Sequence, residues 1–226
     1  MLRLRFTLLF VVAMLFANGG AGTFSGEIDP HVLAAWGVGV NALRDGDPTR
    51  FVTATFLSHD LPMLLRQLPF AALVIGRAEW LWGTWRTAGM FFALDVMATL
   101  VLLAAVALIP RFGALAGTTD VGMSMGGFGL IGLLIAAWRH RVAALIALLA
   151  LVAAKYALAP EPLADGGHVI ALVLGFGLGV AGMHMPGLEN ATEVAHQGPS
   201  HKRSGGRAAE RCPERPAAPC QQDEQR

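Results

Sequence analysis

Ser124 lies in the glycine-rich run GMSMGGFG at residues 122–129, ahead of an uninterrupted apolar stretch, and His168 lies in ADGGHVIALVLGFGLG at residues 164–179. A serine hydroxyl is nearly inert until a neighbouring base takes its proton, and a neutral imidazole is suited to that task. The two therefore read as a nucleophile and its base. Each residue also has an ordinary structural reading. Gly122, Gly126 and Gly129 would let helices approach closely while the serine bonds a backbone carbonyl. His168, three residues after Asp165, would cap its helix from the interface. GMSMG matches the G-x-S-x-G elbow of soluble hydrolases, but the strand and soluble helix which that motif needs are missing.

The elements that must bring the pair together are membrane spans. The chain is 54% hydrophobic and 15% charged. Its apolar residues gather in helix-length runs at 61–81, 87–109, 121–138, 142–158 and 168–185, near the roughly 20 residues a bilayer crossing needs. A sixth run, 4–17, is shorter. Arg3 and Arg5 precede it and small residues follow, so it is either a first span or a signal-peptide core; the retained span is preferred. The expected fold is thus all-α, a polytopic bundle of six transmembrane helices over residues 1–188.

Placing the N-terminus in the cytoplasm sends Arg77, Arg86, Arg139, Arg141 and the basic tail to that side and leaves Arg44, Arg50 and Arg111 outside. Trp80, Trp82, Trp85 and Trp138 then fall at cytoplasmic helix ends. The outer loop, 19–60, carries two apolar stretches, 31–43 and 51–57, too short to cross and expected in the outer interface. Residues 189–226 have the composition of a disordered polar tail. They hold both cysteines, Cys212 and Cys220, in a compartment where neither a disulfide nor a metal site is expected. A net charge of +1 without a basic stripe argues against nucleic acid as a partner, and nothing in the pattern calls for a cofactor.

Within this topology the fourth and sixth spans run in the same direction. Ser124, four residues after Asp120, and His168 then share a depth within about one turn of the outer surface. Ala171, Gly175 and Gly179 follow His168 at i+3, i+7 and i+11, so the imidazole heads a ridge of small residues on which another helix can pack.

These residues resemble the rhomboid family of intramembrane serine proteases, as a divergent bacterial-type member. VGMSMGGFGL at 121–130 is similar to the family's G-x-S-G-x-x-[FY]-G-L block, which implies Ser124 as nucleophile and Phe128 as the aromatic under the histidine. DGGHVIALVLG at 165–175 resembles A-H-x-x-G-x-x-x-G, with His168 as base. TRFVTATFLSHD at 49–60 resembles the W-R-x-x-T-x-x-F-x-H stretch of the first outer loop. GRAEWLWG at 76–83 resembles the G-R-x-x-E block, one residue short. Four blocks in order cover roughly residues 47–179. The resemblance implies a Ser-His endopeptidase in the inner membrane that cleaves transmembrane proteins near the outer face.

The departures are equally specific. Met125 stands where glycine usually follows the nucleophile, Ala171 replaces the first ridge glycine, and Thr49 replaces the tryptophan. Where the family has a histidine and an asparagine for the oxyanion, this chain has Met63 and Gln67; only Gln67 keeps a donor, with Arg66 and His59 as substitutes. Gly122 completes the supporting set. Asp95, inside the third span, reads as functional by default or as structurally paired to Arg66 or a nearby hydroxyl such as Thr99; the pairing is preferred. Lys155 is expected to snorkel outward, and Pro69 to kink its helix. A proteolytically inactive rhomboid-like binding protein, suggested by Met63 and Met125, and a small transporter, suggested by Asp95 and Arg66, are the alternatives.

Overall fold

The computed structural model describes residues 4–182, apart from the side chains of residues 42 and 43; the expected polar tail with Cys212 and Cys220 lies outside the described residues. Helices occupy all six apolar runs: α1 (Arg5–Gly20), then three short helices of the loop, α2 (Pro30–Trp36), α3 (Val40–Arg44) and α4 (Arg50–Thr53), then α5 (Leu61–Trp82), α6 (Thr84–Leu108), α7 (Ser124–Ala136), α8 (Arg141–Leu158) and α9 (Pro162–Gly182). The described chain is all-α, with two isolated bridges and no strand. Four helices, α5, α6, α8 and α9, are long and apolar enough to cross a membrane. The other two are shorter, α1 with 16 residues and α7 with 13.

The short α1 is built into the bundle by polar contacts as well as apolar ones. Glu79 of α5, 1% exposed, accepts the N–H groups of Phe6 and Thr7 at 2.8 Å each, the Thr7 hydroxyl at 2.8 Å and the Thr84 hydroxyl at 2.6 Å. These are otherwise unpartnered amides at a helix N-terminus, where a carboxylate is favoured. Phe6, Phe10, Phe91 and Phe92 pack edge to face beside them. At the other end of α1, buried Asn18 donates to the Phe56 carbonyl at 2.9 Å and accepts from the Ser58 N–H at 2.9 Å.

The loop is more deeply engaged than its composition predicts. Within the stretches 31–43 and 51–57, α2 buries no residue and Trp36 and Val52 are exposed, while Val38, Val40, Ala54 and Leu57 are buried in the same core as α6 and α9. Backbone pairing explains the difference: Val38 and Asp120 exchange both N–H···O bonds at 2.9 and 2.8 Å, and the Gly122 N–H donates to the Ala54 carbonyl at 2.9 Å. Arg50 and Thr53, two residues of the first-loop block, bind the Ala34 and Trp36 carbonyls and so knit α4 to α2.

The tightest helix pair is α7 with α9. At Gly175 a Cβ would collide with the Gly129 carbonyl oxygen and would stand 3.0 Å from the Gly129 Cα, so two backbones touch where side chains would normally separate them. By contrast, α8 buries only Val152. Its Lys155, 40% exposed in the last turn of α8, binds Glu161 at 2.6 Å and Asp165 at 2.9 Å, because the turn into α9 brings two carboxylates within its reach.

Candidate active site

Ser124 is the first residue of α7, and a turn of unusual backbone leads into it. Gly122 has φ +130°, a conformation that favours glycine. A Cβ there would also lie 2.7 Å from Gln67 Nε2 and 2.9 Å from Met63 Cε. The turn is thus pressed against α5 at Met63 and Gln67, the two positions where the resemblance implies an oxyanion pair. The Gly122 N–H is committed to Ala54, so its contribution is access for Gln67 and not a donor of its own.

Gln67 is buried, and its orientation is set by a contact that the sequence does not announce. The Ser58 hydroxyl donates to Gln67 Oε1 at 2.7 Å, which turns the amide nitrogen towards Gly122. Ser58 is itself held by Asn18. Met63 offers only its thioether, which accepts from the His59 N–H at 3.4 Å. Neither proposed substitute takes its place. Arg66 is exposed, and the His59 ring sits 3.3 Å from Asp120 Oδ1 at the rim of the site. That hydrogen bond raises the His59 pKa above its ordinary 6.5, with burial opposing.

His168 lies nearly two turns into α9, whose start is bound instead by Asp165 through the Glu161 N–H at 2.9 Å. The helix-capping reading of His168 is therefore not what is observed. Its ring stacks on Phe128, with centroids 4.3 Å apart and planes at 16°. Phe128 follows Ser124 by four residues, so the two share a face of α7. The imidazole consequently lies against the face that carries the serine. His168 Nε2 is buried without a hydrogen-bond partner, so its Nε2 makes no bond to Ser124.

Ser124 also lines a cavity of about 20 Å³ together with Thr55, Asp95, Thr99, Asp120 and Met125, large enough for one water molecule. Asp95, 4% exposed, is paired to a nearby hydroxyl as expected, but that of Thr55 and neither Thr99 nor Arg66. Its carboxylate accepts from the Gly126 N–H at 2.8 Å and the Thr55 hydroxyl at 3.0 Å. The Thr99 hydroxyl instead donates to Met125 Sδ at 3.2 Å, which draws the Met125 side chain away from the Gln67 side of the turn and against Gly167. Thr55, Ser58 and Asn18 were not singled out by sequence. The signal was present in Asn18, an amide at the end of an apolar run.

Compared with models of known protein families and with curated proteins, the chain gives no match to either.

Proposed function

We propose that this protein is an intramembrane serine endopeptidase of rhomboid type, anchored in the inner membrane with both termini cytoplasmic. The observation that carries the reading is the stacking of His168 on Phe128, one turn along α7 from Ser124. A base held against the nucleophile's own helix face at one end of a tight helix pair is the minimum acyl-transfer chemistry requires. In this reading Ser124 attacks the scissile carbonyl, His168 takes the hydroxyl proton and delivers it to the leaving amine, and water then hydrolyses the acyl-enzyme. The developing oxyanion takes the first-turn N–H of Ser124 and the amide of Gln67.

The 13 residues of α7 extend about 20 Å in a hydrocarbon core of about 30 Å. With its C-terminal end at the inner headgroups, Ser124 is recessed about 10 Å below the outer face, deeper than one helical turn. Substrates are transmembrane proteins whose helix unwinds locally, because helical hydrogen bonds shield the carbonyl to be cut. The transporter alternative loses its basis, since Asp95 is bound by Gly126 and Thr55 while Arg66 is exposed. A non-proteolytic binding protein is favoured by one feature, Met63 packed on the turn where a second oxyanion donor would stand.

A fluorophosphonate probe on the detergent-solubilised protein separates the two. Wild type is expected to label, Ser124→Ala not at all, and His168→Ala at a small fraction of the wild-type rate. Folded wild type that neither labels nor cleaves a transmembrane reporter would make the binding protein the correct account.

A further inference from the structure

We propose that Asp95 is a positioning residue for the nucleophile: as a buried hydrogen-bond acceptor it fixes the first turn of α7, and with it the direction of the Ser124 hydroxyl and N–H. The inference rests on the serine-protease reading above. It begins from a weakness in α7, whose residues 126, 127, 129 and 132 are all glycine, the residue least able to hold a helix by itself after proline. Helix N-termini leave amides without partners, and a side chain at the N-cap ordinarily accepts from the second or third of them. Here the N-cap residue is Met123, and it makes no such bond.

The missing acceptor comes from a different helix. Asp95 Oδ1, on α6, takes the N–H of Gly126, the third residue of α7, at 2.8 Å. The second oxygen, Oδ2, lies 3.0 Å from the Thr55 hydroxyl of the loop. One carboxylate thus sets α7 and the loop over the site in register with each other. Gly126 is two residues from Ser124, and Asp95, Thr55 and Ser124 line one cavity. Asp95 acts on the chemistry through α7. Displacing a reacting group by about 1 Å can cost on the order of 10²-fold in rate.

Acceptance, and not charge, is what the geometry uses. Thr55 Oγ1 has one proton and two acceptors in reach, Asp95 Oδ2 and the Phe51 carbonyl, both at 3.0 Å. An asparagine at 95 can keep both of its contacts: its carbonyl accepts from Gly126, and its amide donates to Thr55 Oγ1, whose own proton goes to Phe51.

The test compares Asp95→Asn, Asp95→Ala and Thr55→Val in the full-length protein, by probe labelling, reporter cleavage and amide hydrogen exchange over residues 124–127. Labelling in Asp95→Asn should stay within about 3-fold of wild type, and in Asp95→Ala it should fall about 30-fold or more. The loss should appear in kcat with KM held, and exchange at 124–127 should accelerate in Asp95→Ala alone among the two. Folded Asp95→Ala with wild-type exchange and labelling overturns the proposal, as does Asp95→Asn that is as slow as Asp95→Ala. Should Asp95→Ala not fold, protection at 124–127 kept in Asp95→Asn and reduced in Thr55→Val is expected, and the reverse order overturns it. A wild type that never labels sinks the protease reading separately, because hydrogen exchange reads the positioning without any activity.

Discussion

Two buried carboxylates, Glu79 and Asp95, use one device at two regions of the bundle, and they differ in how completely it is satisfied. Each accepts backbone N–H groups from the first turn of a neighbouring helix and a threonine hydroxyl. Glu79 collects two amides and one hydroxyl from α1 and a second hydroxyl from the first residue of α6. Asp95 collects one amide and one hydroxyl beside a cavity. The saturated site is surrounded by packed phenylalanines and has nothing further to do. The sparser one stands two residues from the candidate nucleophile. Structural and functional polarity are thus separated by the number of donors around each acid as well as by position.

Breaking the saturated site should have the largest effect on stability. Glu79→Ala leaves the Phe6 and Thr7 amides without their acceptor, and a loss of about 3 to 4 kcal/mol is expected, read by thermal unfolding in detergent. The protein that remains folded should label at the wild-type rate, which keeps the two regions distinct. Gln67→Ala should weigh the other way, slowing labelling by about 10²-fold, equivalent to about 3 kcal/mol of barrier, while the loss of the acceptor for the Ser58 hydroxyl costs about 1 to 2 kcal/mol of stability, less than Glu79→Ala. Equal damage to both readouts from either variant would erase the contrast.

A smaller effect is expected at the helix pair that joins the site. Gly175→Ala forces α9 away from the Gly129 backbone and should cost about 2 kcal/mol, whereas a Cβ at Gly177 meets nothing within 4 Å and Gly177→Ala should be neutral or slightly stabilising. The smallest effect belongs to His59, 40% exposed and bound to Asp120. Its folded pKa is raised by that bond, so the pair's stabilisation is fully present below the ordinary value of 6.5 and fades as pH rises through the folded value. Under about 1 kcal/mol is at stake for so exposed a pair. Melting temperatures at acidic and alkaline pH should diverge in wild type more than in Asp120→Asn.

All six helices were legible because an apolar run of helix length is a long signal, summed over many residues, although only α5, α6, α8 and α9 reach membrane length. Ser124 and His168 were legible as spacing within such runs, while Phe128 came from the resemblance alone, and the structure stacks it on His168. Asp95 was legible as an oddity but not as a contact. Its partners are a backbone N–H and a loop hydroxyl, and a backbone amide has no letter in the sequence, so Arg66 and Thr99 were the residues that spacing offered. The partners of Lys155 were not legible for a related reason, since Glu161 and Asp165 come into reach only through the turn between α8 and α9. The burial of part of the loop was not legible because Val38 and its neighbours find a core only once Val38 pairs with Asp120.

The brevity of α7 bears on biogenesis. With 13 residues and four glycines, it is about a third too short to partition into lipid as an autonomous span. It can settle only when α6 and α9, both of membrane length, are already there to flank it. Insertion must therefore finish in an order in which α9, the last described helix of the chain, arrives before α7 is secure, and a nascent protein halted before α9 carries Ser124 without a base or a fixed helix. On the protease reading proposed above, catalytic competence would be the final event of assembly, and the membrane's own proteins would be spared an active protease until the whole bundle has closed.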